Sequence, residues 1–184
     1  NNYPISQQKI LNIITSKPKN YKIFYQKHMT HHIIKNTRLD WLDKGYNCFL
    51  LRHPAKVINS YIKKNSLKNI NDIGFKKQYE IFNKVKKNKL KFTVVNSDSI
   101  LQNPNKKIKK LCKILNIRFT KKMIFWPKGT RKTDGIWSKV WYKNVEQSNT
   151  FKKYKNEKIF VPKKYKKIYD ESLKYYNEMN QYSI

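Results

Sequence analysis

The chain has 184 residues, 39% of them hydrophobic and 14% aromatic, which is enough apolar material for one domain with a sizeable core and too much for wholesale disorder. Its formal charge of +31 raises a nucleic-acid reading, because a dense basic surface gains affinity by counterion release. The 38 Lys against 4 Arg, with 21 Asn, 21 Ile and the single Ala55, argue instead for a codon bias towards AT, and the lysines run along the whole chain. Base readers concentrate charge and favour the guanidinium fork of Arg, so no specific nucleic-acid partner is expected. Any anionic ligand still gains from long-range attraction.

Apolar runs such as residues 48–51 fall far short of the roughly 20 residues that cross a bilayer, and no membrane partner is expected. Residues 1–5 lack the basic head and apolar run of a signal peptide. Cys48 and Cys112 stand far apart with no metal-ligand spacing, which excludes a disulfide scaffold and points to a reducing, cytoplasmic compartment. The first residue is Asn1 rather than Met, and the chain is expected to begin inside a longer reading frame.

In chain order, residues 5–16 set Ile10, Ile13 and Ile14 at helical spacing before a break at Lys17, Pro18, Lys19 and Asn20. A short strand is expected over 21–25. It runs into the polar stretch Gln26, Lys27, His28, Met29, Thr30, His31 and His32, and a strand's carboxyl end is where open α/β sheets hold ligands. Residues 46–51 read as a parallel strand covered on both faces, ending at Arg52. Pro54 suits the first position of a helix, whose stripe is Val57, Ile58, Tyr61 and Ile62.

A helix over 72–87 buries Phe75, Tyr79, Phe82 and Val85, and a strand follows at 91–95. Asn103 and Pro104 form a cap and helix start, with Ile108, Leu111, Cys112 and Leu115 on one face. Residues 125–151 are loop-rich and aromatic, and a last helix over 162–182 turns Tyr165, Ile168, Tyr169, Leu173 and Tyr176 inward. Helix and strand alternate, so the expected fold is α/β, layered about a parallel central sheet with right-handed crossovers. One domain is expected, with an α/β portion at 1–122 and an aromatic loop segment plus C-terminal helix at 123–184.

The most informative stretch runs from Phe49 to Tyr61, a buried strand that delivers Arg52, then a helix carrying Ser60 eight residues later. A guanidinium fork and a hydroxyl at such a corner can converge on one phosphate. The bland alternative is that Arg52 caps the sheet and Ser60 is a helix-surface residue.

At this motif the chain resembles the sulfotransferase family, in which a strand Arg and a helix Ser hold the 3′-phosphate of 3′-phosphoadenosine 5′-phosphosulfate (PAPS). Lys27 and His28 resemble the family's Lys-x-His segment, although here the two are adjacent. Residues 96–104, Trp126-Pro127-Lys128-Gly129, Asp134-Gly135-Ile136-Trp137, Trp141-Tyr142 and Ser148 resemble further segments of a bacterial branch, so the likeness spans nearly the whole chain.

The resemblance implies a three-layer, P-loop-like fold and sulfuryl transfer from PAPS to a hydroxyl or amine acceptor, a small molecule or a carbohydrate. It implies His28 as general base, Lys27 as the cation at the transferring group, and Arg52 and Ser60 as the phosphate clamp, with Lys128, Gly129 and Arg131 closing over the nucleotide. His28 can equally be a hydrogen-bonded strand-end residue. The aromatics Trp126, Trp137, Trp141 and Tyr142 can line an acceptor pocket, stack on adenine or pack a core.

His31 and His32 add imidazoles that could share a zinc at i and i+4 spacing on a helix, but no carboxylate or thiolate is arranged nearby and no metal is expected. Family members also carry a first strand and a Gly-rich loop that wraps the 5′-phosphosulfate. None of Gly45, Gly74, Gly129 and Gly135 stands in such a loop, so the first strand and phosphate loop are expected to be missing from this stretch. Two alternatives remain open, a lysine-surfaced nucleic-acid-binding module and a noncatalytic nucleotide-binding relative.

Overall fold

A computed structural model describes residues 6–16, 22–34, 36–135, 138, 142–156 and 158–184. The chain divides into two compact units, residues 1–94 with 159–183, and residues 95–158 with 184. Lys17 to Asn20, where a break was expected, lie outside the described residues.

In the first unit, α1 (Gln7–Thr15) precedes 3-10 turns at Thr30–His32 and Asp40–Lys44, then β1 (Asn47–Leu51), α2 (Pro54–Tyr61), a 3-10 turn at Ile70–Ile73, and α3 (Phe75–Lys87). β2 (Phe92–Asn96) starts in this unit and lies parallel to β1, and the described residues hold this two-stranded sheet. The fold is therefore α/β with a parallel sheet, as the alternating pattern requires. Ser183 adds one parallel bridge to Val94.

The core forms where the buried face of β1 and β2, whose residues Thr93 to Asn96 are all buried, meet α3 and the C-terminal helix. Phe49 and Leu51 of β1, Phe82 and Val85 of α3 and Val94 of β2 are all buried together with Tyr176 and Met179. Phe82 sits edge-on to Phe49 at 5.5 Å and to Phe92 at 5.5 Å, the T-shaped geometry favoured by ring quadrupoles. The C-terminal helix follows a 3-10 turn at Lys163–Tyr165 and runs over Lys166–Asn180. Ser172 is fully buried on it because its hydroxyl donates back to the Ile168 carbonyl at 2.7 Å.

Several expectations change. Of the strand expected over 21–25, Tyr21 lies outside the described residues and residues 22–25 form no strand, with Ile23, Phe24 and Tyr25 exposed; β-branched and aromatic residues favour a strand only where a neighbour satisfies the backbone. Coverage of β1 on both faces also fails, since Cys48 and Leu50 are exposed beside buried Phe49 and Leu51. The helix expected from 72 begins at Phe75, because Gly74 has φ of +71° and breaks the run into a 3-10 turn and a helix. An alanine Cβ at Gly74 would lie 2.6 Å from Thr30 Oγ1 and 3.0 Å from the His31 nitrogen, so only glycine permits this close approach.

The second unit contains α4 (Ser97–Gln102), α5 (Pro104–Ile114), a 3-10 turn at Lys121–Met123 and α6 (Lys143–Glu146). Asn96 caps α4 by accepting from the Asp98 amide at 2.9 Å, and Asn103 caps α5 by accepting from the Lys106 amide at 3.1 Å with Pro104 behind it. Asp98 itself sits in the first turn of α4, where a carboxylate suits the helix dipole. Both cysteines are free, Cys48 exposed and Cys112 buried.

Candidate active site

The β1–α2 corner is built from the core outward. Leu51 is 1% exposed and anchors the end of β1, and the next residue, Arg52, emerges into solvent. His53 then takes an extended conformation as the N-cap of α2 and packs edge-on to Tyr176 at 5.4 Å. Pro54, Ala55 and Ile58 are buried on one side of α2, while Ser60 is exposed. The corner thus turns one guanidinium and one hydroxyl to water within eight residues, on a frame whose inner atoms are fixed. Two exposed donors of this kind fit an anion and leave no buried charge to compensate.

Asn59, the residue before Ser60, reaches across the first unit and donates from Nδ2 to the Phe160 carbonyl at 2.7 Å. That bond ties α2 to the segment that leads into the C-terminal helix. The 3.6-residue period buries the Ile58 side of α2 and turns Ser60 away from it.

Lys27 and His28 lie on the irregular segment before the Thr30–His32 turn, both exposed. His28 Nε2 pairs with Gln26 Oε1 at 3.0 Å, and its ring lies 4.5 Å from that of Trp41. This partial cover lowers the His28 pKa below the ordinary histidine value of 6.5, because burial disfavours the imidazolium. His31 is lowered too, by burial first and then by the neighbouring His32, whose ring is 4.1 Å away. Thr30 Oγ1 donates to the Gly74 carbonyl at 3.0 Å and fastens this segment to the turn before α3.

His28 and His32 do not share a helical face. The helix in this segment is one 3-10 turn, Thr30–His32, and no group of three metal-ligating side chains occurs among the described residues. An open cavity of about 400 Å³ is lined by Leu39, Asp40, Leu42, Asp43, Lys84, Asn88 and Leu90. None of the candidate residues lines it, and its two carboxylates repel a phosphate.

In the second unit, Lys128, Gly129 and Arg131 are exposed on the loop between the Phe125 to Thr150 bridge and α6. Gly129 has φ of +100°, and its amide donates to the Glu146 carbonyl at 2.8 Å. The Arg131 amide donates to Asp134 Oδ2 at 2.8 Å, which fixes the backbone and leaves the guanidinium outside. Trp126 is half-buried edge-on to Phe151 at 5.3 Å, and Tyr142 is half-buried before α6. Trp137 and Trp141 lie outside the described residues.

Sequence reasoning did not single out Ser97. Its Oγ is buried with no hydrogen-bond partner among the described residues, immediately after the last residue of β2. The available signal was that position, since the carboxyl ends of parallel strands are where ligands meet an α/β sheet.

Residues 2–182 match the family model described as a sulfotransferase domain. The chain belongs to that family. Among curated relatives, branched-chain-amino-acid aminotransferase-like protein 1 of Arabidopsis thaliana is 25% identical over 165 residues, covering 90% of this chain and 29% of that protein. Its counterpart, protein 2, is 21% identical over 92% of this chain and 30% of its own length. The chain therefore spans about a third or less of these relatives, and their printed name describes the whole proteins. A solved sulfotransferase domain from the curacin biosynthetic pathway shares the fold with a TM-score of 0.52 at 17% identity, over 76% of this chain and 57% of that one. No helix among the described residues is long and apolar enough to cross a membrane.

Proposed function

We propose that this domain takes part in sulfuryl transfer from PAPS to a small-molecule or carbohydrate hydroxyl, or an amine, in the cytoplasm. The observation that carries the reading is the β1–α2 corner of a sulfotransferase-family domain, where Arg52 and Ser60 stand exposed on a buried frame. Arg52 supplies charge-assisted hydrogen bonds to the 3′-phosphate, and Ser60 adds a neutral donor.

In the reaction the acceptor oxygen forms a bond to sulfur as the bond from sulfur to the phosphate oxygen breaks, and the acceptor proton leaves for a base. His28 suits that base because partial cover of its ring lowers its pKa below the ordinary histidine value, which favours the neutral imidazole. An Nε2 proton donated to Gln26 Oε1 leaves the Nδ1 lone pair to take the acceptor proton. Lys27, next in the chain and exposed, offers positive charge where the bridging oxygen gathers negative charge.

Titration calorimetry with adenosine 3′,5′-bisphosphate tests the clamp. Arg52→Ala is expected to weaken binding by about 30-fold, the effect of losing roughly 2 kcal/mol of charge-assisted bonding, with circular dichroism unchanged. Undiminished binding in that variant overturns the assignment. Nonspecific attraction to the lysine surface is recognised by a steep salt slope that does not depend on Arg52.

A further inference from the structure

Donors and acceptors around His28 fix more than its position. Ile14 lies in the last turn of α1 (Gln7–Thr15), where carbonyls have no partner within the helix. The residue four further on is Pro18, which carries no N–H to donate. The donor comes instead from Gln26, whose Nε2 reaches the Ile14 carbonyl at 2.7 Å. Gln26 is half-buried while its neighbours Tyr25 and Lys27 are exposed, so this side chain alone of the three turns inward.

That bond decides which way the amide faces. A carbonyl oxygen only accepts, so the Gln26 atom at Ile14 is the NH2 group, and the atom left for His28 is Oε1, at 3.0 Å from Nε2. An amide oxygen likewise only accepts, so the hydrogen between them belongs to His28 Nε2. The tautomer of the ring is thereby set from α1 through one glutamine, and Nδ1 keeps its lone pair. The ring also lies 4.5 Å from that of Trp41, which is itself held by its Nε1–H donating to the Arg38 carbonyl at 3.1 Å.

We propose that Gln26 is the positioning residue of the base: pinned by the Ile14 carbonyl, it holds the Nε2 proton of His28 and keeps Nδ1 free to receive the acceptor proton. The inference rests on the reading of His28 as base and adds the residue that orients it. As the acceptor oxygen bonds to sulfur and the bond from sulfur to the phosphate oxygen breaks, the acceptor proton passes to Nδ1 and an imidazolium forms. Its Nε2–H still donates to Gln26 Oε1, now as a charge-assisted bond, about twice as strong as a neutral one. Gln26 thus contributes more after the proton has moved than before, and an interaction that strengthens along the reaction lowers its barrier.

The test is NMR of the His28 ring nitrogens in the wild-type chain, in Gln26→Ala and in Gln26→Glu, with adenosine 3′,5′-bisphosphate added last. Wild type is expected to show a neutral ring protonated at Nε2. In Gln26→Ala that proton should exchange with water about fivefold faster, the effect of losing one neutral hydrogen bond, and the form protonated at Nδ1 should become populated. Gln26→Glu gives up the bond to Ile14 but keeps an acceptor for His28. Nε2 therefore stays protonated, and His28 titrates at a higher pH than in wild type, because a carboxylate favours the imidazolium. A residue that only fastened α1 to its neighbours would produce no such upward shift. The bisphosphate should shift the ring resonances in all three proteins.

A wild-type ring protonated at Nδ1, a Gln26→Ala proton that exchanges within about twofold of wild type, or a Gln26→Glu ring whose pKa does not rise overturns the role of Gln26. The base itself stands in each case if the nucleotide still shifts His28. Ring resonances that ignore the bisphosphate overturn His28 as the base, and the part of Gln26 in the reaction with it, whatever the tautomer.

Discussion

The β1–α2 corner and the segment from Lys22 to His32 both present candidate functional side chains, yet they hold them by different means. Arg52 and Ser60 hang from a strand and helix whose inner residues, Leu51, Ala55 and Ile58, are at most 2% exposed. Lys27 and His28 sit on a segment without regular secondary structure, and Ile23 and Tyr25 nearby are 59% and 82% exposed. The Trp41 ring and the Thr30 to Gly74 bond hold that segment in place. A group held by core packing keeps its position until the unit unfolds, whereas one held by a few surface contacts is released locally at far lower cost.

The largest expected effect breaks the first region. Ile58→Ala, at a position with no exposure, should cost about 2–5 kcal/mol, and bisphosphate binding should fall with the loss of folded protein in a urea titration. Next, Gly74→Ala meets both the left-handed backbone and the Thr30 hydroxyl at 2.6 Å. It should cost about 1–3 kcal/mol and should free the His32 and Ile33 amides, bonded to the Met29 and Thr30 carbonyls, to hydrogen exchange sooner than those of β1. Equal acceleration in both places would erase the contrast between the two regions.

A pH titration sharpens the comparison. The folded-state pKa of His28 is depressed from 6.5 by burial, so below about 6.5 the unfolded chain takes up a proton that the folded chain resists. Stability is therefore level above 6.5, falls as pH drops from there to the folded pKa, and levels again below it. His31 contributes in the same direction. The double variant His28→Gln/His31→Gln should show a shallower fall in urea midpoint between about pH 7.5 and 5.5 than wild type, and an identical slope would contradict the burial assigned to these rings. The smallest effect belongs to the uncovered face of β1, where Leu50→Lys at 61% exposure should change stability by less than about 0.5 kcal/mol.

Much of the frame was readable residue by residue. Pro54 opens α2, Asn103 and Pro104 open α5, and Phe82 and Val85 enter the core, because caps, fixed proline φ and 3.6-residue periodicity are local properties. The strand expected over 21–25 does not form at 22–25, because composition says strand while strand formation needs a partner. The helix expected over 72–87 starts later because Gly74, in contact with Thr30 44 residues away, adopts a left-handed turn that periodicity does not reveal. Ser97 escaped because an unsatisfied hydroxyl is visible only once neighbouring atoms surround it.

The amino-acid sequence by itself determined the strands at Asn47–Leu51 and Phe92–Asn96, the starts of the helices that follow Pro54 and Pro104, and the Arg52 to Ser60 spacing, since each depends on neighbours along the backbone. Only the tertiary structure decided which face of β1 is covered, that His28 leans on Trp41 and loses basicity, and that Asn59 is tied to Phe160. Those outcomes depend on contacts between residues distant in the chain, and such contacts form when the gain from burying apolar surface exceeds the entropy lost in bringing the segments together.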